Sequence, residues 1–416
     1  MTIVGKKETG MKKRKLIISL FTAAAITLTG CSLDSGEAQQ ATDYMSEAAS
    51  QESSADSAEN ESSITVIKDL FEPELEEKES SEASSTDSAS EGESIERDSR
   101  VEMVFFGDSQ FANARDDGTD LPTLIGQRVP NSIVYNLAIG GTTASVVKST
   151  SDVSPENLRS TSFLGMTYCL SGQSDRNETL ANYPAILEKM NAVDPTTVDY
   201  YIIEYGANDF FNEVPLDVSM YDSEADQAHA YYNAYSKGIE VLKKLSPDAT
   251  IFIVTPFYGI YVDANGSYVG DSYVVSNGIG TLADYAKKAQ NVAEDQQITY
   301  FDGMFKSKCD LYLDTAGEYL MDNLHLTLKG RQVFARLIAH LINFDAHNEP
   351  YAYLETDFIK IAEFDPNEDY RYDEGQMREY FPESWEKYIK GEFPLAQPSQ
   401  EALEQYGSEA TSESSN

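Results

Sequence analysis

Five short apolar runs, at residues 101–106, 133–139, 200–205, 251–255 and 298–301, punctuate the middle of the chain. They are rich in β-branched and aromatic residues, and most are bounded by Gly, Asp or Pro, which marks them as strands. Between and after them, residues 228–245, 282–295 and 328–344 carry apolar side chains at helical spacing, with Val333, Leu337 and Leu341 forming the stripe of the last. Strands that alternate with helices predict an α/β domain over residues 101–345, built on a five-stranded parallel sheet covered on both faces.

The flanks carry different patterns. Residues 16–28 form an apolar run after Lys12-Lys13-Arg14-Lys15. The run is shorter than the roughly 20 residues that span a bilayer, so residues 1–30 read as a secretory signal. Leu28-Thr29-Gly30-Cys31 resembles a bacterial lipobox, which implies acylation of Cys31 and a protein exported and lipid-anchored to the outer face of the bacterial cell membrane. The alternative for Cys31 is an ordinary buried cysteine. Residues 31–100 are dominated by Ser, Glu, Asp and Ala, too polar to offset ordering entropy, and are expected to form a disordered acidic tether. Residues 346–416 are acidic as well, but aromatics such as Tyr351, Phe358, Phe364, Tyr372, Trp385 and Tyr388 interrupt the charge. That extension reads as an appendage laid on the domain or as an aromatic platform for sugar rings, frayed at its end.

Charge narrows the set of partners. A net charge of −39 argues against nucleic acid and against adsorption to anionic lipid, both of which need clustered Lys and Arg. Membrane association then falls to the lipid at Cys31. An exported compartment permits Cys169 and Cys309 to pair, although spacing alone does not decide it. Asp263-Ala264-Asn265-Gly266-Ser267 begins like a calcium loop, but Val274 stands where the bidentate glutamate belongs, so an Asn-Gly hairpin turn is expected. Without a metal-spaced His or Cys cluster or a phosphate-cradling loop, neither metal nor cofactor is expected.

The candidate chemistry sits at the ends of the strands, where open parallel sheets bind ligands. Gly107-Asp108-Ser109 follows the first run, Gly140-Gly141 the second, and Gly206-Ala207-Asn208-Asp209 the third; Asp322-Asn323-Leu324-His325 precedes the last helix. A serine hydroxyl needs a base to take its proton during attack. His325 is the candidate base for Ser109, and Asp322, three residues earlier, is placed to fix its tautomer. Oxyanion donors are assigned to the backbone N–H of Ser109, the backbone N–H of Gly141 and the side-chain amide of Asn208. Plainer readings stand beside these: the glycine pair as a tight turn, Asn208 as a helix cap, and Asp108 and Asp209 as braces for their loops.

With these four blocks in order, residues 101–345 resemble the SGNH hydrolases, the superfamily also called GDSL-type. The resemblance implies a three-layer α/β/α flavodoxin-like fold, Ser109 as nucleophile, Gly141 and Asn208 as second- and third-block residues, and Asp322 with His325 as the acid and base. Gln110 departs from the leucine of the name-giving motif, at a position whose side chain is expected to take no part in the chemistry. The implied activity is a serine esterase. Its exported position, and loops carrying Phe210, Phe211, Tyr221, Tyr258, Tyr261, Tyr268 and Tyr273, suit an O-acetyl ester on a cell-envelope or extracellular polysaccharide. An O-acyltransferase acting on glycans, a lysophospholipase-like lipid acyl esterase and a non-catalytic surface glycan-binding lipoprotein remain as alternatives.

Overall fold

The computed structural model describes residues 100–348, 358–366, 374–380, 382–392 and 398–410. The expected signal, Cys31 and residues 32–99 of the expected tether therefore lie outside the described residues, as do Tyr351 and Tyr372 of the extension. Among the described residues no helix is long and apolar enough to cross a membrane.

All five apolar runs become strands of one sheet: β1 (Val101–Gly107), β2 (Ser132–Asn136), β3 (Tyr200–Glu204), β4 (Thr250–Val254) and, after an intervening hairpin of β5 (Ile260–Val262) and β6 (Tyr268–Asp271), β7 (Thr299–Phe301). The order is β2-β1-β3-β4-β7 and every pairing is parallel. This is the doubly wound arrangement in which the chain reverses direction beside β1, opening a crevice at the carboxyl ends there. Parallel strands bury both faces, which is why Met103 through Phe106 and Tyr201 through Ile203 are apolar without alternation and inaccessible to solvent. Helices Leu121–Gly126 and Leu328–Asp345 pack on each other, and helices Phe163–Leu170, Tyr231–Leu245 and Leu282–Gln296 form a second group, giving three layers.

Local chemistry fixes where the elements stop. Leu137 and Ile139 lie beyond β2 yet still donate to the carbonyls of Phe105 and Gly107, at 2.9 and 3.0 Å, so the chain peels away gradually and delivers Gly140-Gly141 to the end of β1. The helical pattern over 228–245 is broken into helices Glu224–Ala228 and Tyr231–Leu245. The amides of Tyr231 and Tyr232 bond to the carbonyls of Pro215 and Leu216, each at 2.9 Å, and start a new helix. Asp263 accepts from the amides of Asn265 and Ser267 with Gly266 at φ +78°, which makes the β5–β6 connection the expected tight turn.

Cys169 and Cys309 are both buried and both free, so the disulfide permitted by the sequence does not form. Each is absorbed separately: Cys169 into the core-facing side of the Phe163–Leu170 helix, Cys309 into a bridge with Ile359. Burial pushes both thiols up, that of Cys309 to about 12, which leaves them inert.

The main core continues past residue 345. Ile361 and Phe364 belong to it, and the Ile361 amide donates to Asp310 Oδ1 at 3.0 Å. Three further helices, Glu374–Tyr380, Pro382–Ile389 and Gln400–Ala410, bury Met377, Tyr388 and Ala402, while Trp385 packs against Tyr388 and Tyr406. The described aromatics of the extension thus serve largely as packing.

Candidate active site

Two segments separated by 216 residues meet at the carboxyl end of β1. Ser109 Oγ lies 2.8 Å from His325 Nε2, and His325 Nδ1 lies 2.7 Å from Asp322 Oδ2. A carboxylate only accepts, so Nδ1 carries the proton of the neutral imidazole and Nε2 is left as acceptor for the serine hydroxyl. That tautomer is the one in which the ring can remove a proton from Ser109.

Asp322 does more than face the ring. Its Oδ1 also accepts from the amides of Leu324 and His325, at 3.2 and 2.7 Å, closing a turn in which Asn323 takes the left-handed conformation at φ +73°. Burial pushes the Asp322 carboxyl up, but the bonds from the His325 ring and amide outweigh it and hold the group below its ordinary value. Two residues after His325, Thr327 caps the Leu328–Asp345 helix by accepting from the Gly330 amide at 3.1 Å. The loop is anchored again from outside, because the amide of Ile260 in β5 donates to the Asn323 carbonyl at 2.9 Å.

The nucleophile turn is equally constrained. Asp108, inaccessible to solvent, accepts from the Gln110 amide at 2.9 Å. Gln110 is buried and donates its side-chain amide to the carbonyl of Leu324 at 2.9 Å. This side chain, expected to take no part in the chemistry, has a structural role that the sequence reading missed: it ties the nucleophile turn to the residue before His325. A polar residue immediately after the nucleophile, where the resembled motif has an apolar one, was the available signal.

The second and third blocks converge on the same point. A Cβ placed on Gly140 would lie 3.8 Å from that of Ser109, so the glycine pair passes directly over the nucleophile; Gly141 adopts φ +79° with open space around it. Gly206, not Asn208, is the N-cap of the helix Ala207–Phe211, and no side chain caps it. Asn208 instead directs Nδ2 at Asp108 Oδ2 (2.9 Å) and at the Thr142 carbonyl (3.0 Å), which occupies both of its N–H bonds. Donation to an oxyanion therefore requires that one bond, the longer one to Thr142, be exchanged when substrate arrives. Asp209 braces the loop after Gly141 by accepting from the amides of Ala144 and Ser145 and from the Ser145 hydroxyl at 2.9, 3.2 and 2.8 Å.

The loop aromatics divide. Phe210, Tyr258 and Tyr261 are buried, and Phe211 packs partly buried against the same core, which removes them as exposed sugar platforms. Tyr221 and Tyr268 keep 91% and 51% of their surface exposed, while Tyr273, two residues past β6, packs against Tyr258 and Phe305 and donates its hydroxyl to the Met304 carbonyl at 2.7 Å. No group of three or more His, Cys, Asp or Glu side chains able to hold a metal is found among the described residues.

Residues 103–338 match the family model described as GDSL-like lipase/acylhydrolase. No curated protein matches the chain. Among solved structures, a possible lipase from Chitinophaga pinensis is 16% identical, covering 59% of this chain and 99% of its own, with a TM-score of 0.39. A family two carbohydrate esterase from Clostridium thermocellum, solved with cellohexaose, is 16% identical over 59% of this chain and 65% of its own, with a TM-score of 0.35. The salicylyl-acyltransferase SsfX3 from a tetracycline biosynthetic pathway is 14% identical over 62% of this chain and 57% of its own, with a TM-score of 0.36.

Proposed function

This chain belongs to the GDSL-like lipase/acylhydrolase family and is an ester hydrolase, and from that premise we propose that it is a serine esterase removing O-acetyl groups from cell-envelope or extracellular polysaccharide through an acyl-enzyme. The observation that carries the mechanism is the unbroken line from Ser109 Oγ through the His325 ring to Asp322, at 2.8 and 2.7 Å. As Oγ attacks the ester carbonyl, its proton passes to His325 Nε2, and Asp322 stabilises the imidazolium that forms. The oxyanion is met by the backbone N–H groups of Ser109 and Gly141 and by the Asn208 amide, released from Thr142; each donor is worth on the order of 3 kcal/mol. Collapse expels the sugar alkoxide, which takes the proton from His325. Water then attacks the acetyl-serine with His325 again as base, releasing acetate and restoring Ser109.

Support for a glycan substrate comes from Tyr221 and Tyr268, whose exposed rings offer flat apolar faces. The hairpin that bears Tyr268 is joined through Ile260 to the loop of the base, so a sugar held there would be registered against the catalytic ring. Export and anchoring through a lipid on Cys31 would place the enzyme where such polymers occur, and Cys31→Ala should free the protein from membranes. The substrate is tested by acetate release from acetylated glycans, compared with short- and long-chain acyl esters and with transfer to a glycan acceptor. Preferential release of acetate from glycan to water is expected. Preference for long-chain acyl esters, or transfer in place of hydrolysis, would overturn the substrate assignment.

A further inference from the structure

Three carboxyl groups are buried beneath the nucleophile turn, and two of them have donors. Asp209 is saturated by Ala144 and Ser145, and Asp108 accepts from the Gln110 amide through Oδ1 and from Asn208 through Oδ2. Glu204 is different. It is inaccessible to solvent, and neither of its carboxyl oxygens meets an N–H or O–H donor in hydrogen-bond geometry. It ends β3 in register with Gly107 of β1, which brings its side chain against Asp108, the next residue. The side-chain group facing it there is a second acceptor.

The Asp108 amide lies nearby but does not reach hydrogen-bond geometry with either oxygen. The charged groups that act on Glu204 are the carboxylates of Asp108 and Asp209, and no ion pair to it exists among the described residues. Of the neighbouring phenols, Tyr231 donates its hydroxyl to the Tyr205 carbonyl at 2.8 Å and Tyr235 donates to the Ile203 carbonyl at 3.2 Å, so their protons go to the backbone of and just after β3. Burial and adjacent like charge both favour the neutral form of a carboxyl, and two facing acceptors bond only if one carries a proton.

We propose that Glu204 is a neutral carboxylic acid in the working enzyme and a positioning residue: its O–H donates to Asp108, which keeps Asp108 as a single fixed anion aimed at Asn208. Asp108 retains the charge because two N–H donors meet it in hydrogen-bond geometry, whereas the one N–H beside Glu204, the Asp108 amide, does not reach such geometry with either oxygen. Burial pushes Glu204 well above the ordinary carboxylate range and the facing Asp108 charge adds to it, against the nearby Asp108 amide; burial raises Asp108 too, but the Gln110 amide, the Glu204 side chain, His325 and the Asn208 side chain work against that rise. A mobile or doubly charged Asp108–Glu204 pair would release the Asn208 amide from its present angle, and would act on the transition state more than on substrate binding. This inference rests on the reading of Asn208 as an oxyanion donor.

The test compares the wild-type full chain with Glu204→Gln and Glu204→Ala by infrared difference spectroscopy at neutral pH and by steady-state hydrolysis of p-nitrophenyl acetate. The wild type should show the C=O stretch of a protonated carboxylic acid, and Glu204→Gln should lack it. Glu204→Ala should lose about tenfold or more in kcat with KM nearly unchanged, and Glu204→Gln, which still donates an N–H, should recover to within about threefold of the wild type. An active wild type that shows no band lost in Glu204→Gln, or a glutamine variant as impaired as the alanine variant, would overturn the proposal. The infrared arm reads the proton without turnover, so a failure of the esterase reading is distinguished from a failure of this one.

Discussion

Gln110 donates its side-chain N–H to the Leu324 carbonyl at 2.9 Å across 214 residues of sequence. Gln110 follows the nucleophile and Leu324 precedes the base, so this bond spans the same gap as the contact between Ser109 and His325 and acts as a strut parallel to it. Reacting groups need placement to a fraction of an ångström, and the strut is placed to supply it from a buried side chain.

Replacing Gln110 by leucine keeps a side chain of similar size but leaves the Leu324 carbonyl without that donor. Kinetics should show kcat lowered by about tenfold with KM little changed, and melting should show a loss of about 1–2 kcal/mol. Unaltered kcat would mean that the strut is dispensable.

Asp322→Asn should lower kcat by on the order of 10³-fold or more, because an amide no longer fixes the Nδ1 proton. The same change has a signature in stability. The Asp322 carboxyl is held below its ordinary value, so its stabilising contribution is complete above that value and is lost as pH falls through the lower folded one. Denaturation of wild type and variant should therefore differ at neutral pH and converge in strong acid.

The fold was legible because both faces of a parallel strand are buried, so Val104, Ile202 and Ile253 need no alternation to be recognised. The residues that meet at the site were legible for another reason: Ser109, Asn208 and His325 sit in short blocks whose polar residues have no reason to lie at strand ends unless something is done there. Their supports were not legible. Gln110 reads as a neutral departure from a motif, and Glu204 passes as one residue of the apolar run 200–205, although a single charge inside such a run was a visible sign. The role of β5 in holding Asn323 has no local signature, since it depends on a partner 63 residues away. The split near His229 was hidden because the competing carbonyls of Pro215 and Leu216 come from an earlier segment.

Gly206 and Gly141 should respond differently to alanine. At Gly206 the backbone lies at φ +140°, and a Cβ would stand 2.7 Å from Pro256 Cγ and 2.9 Å from the Tyr231 hydroxyl; strain and overlap together should cost about 3 kcal/mol or more. At Gly141 the φ is +79° with nothing within 4 Å, so the cost should be about 1 kcal/mol. Urea denaturation checks both, and equal losses would contradict the packing described around Gly206.

Asp209 gives a second pH dependence of opposite sign to that of Asp322. Burial pushes its carboxyl up to about 6, against the Ala144 and Ser145 donors. A raised folded value means that the stability it confers is fully present below its ordinary value of 3.8 and is lost as pH rises through about 6. The stability of wild type relative to Asp209→Asn should therefore decline over that window. A difference that stays flat or grows would contradict it.

The central claim is that Ser109 is acylated with His325 as its base. The most direct measurement is the mass of the protein, and of its Ser109 peptide, after rapid quenching with p-nitrophenyl acetate. The wild type should carry one acetyl group on Ser109 that accumulates and turns over, and Ser109→Ala should carry none. Acetylation elsewhere with undiminished hydrolysis in Ser109→Ala would contradict the account.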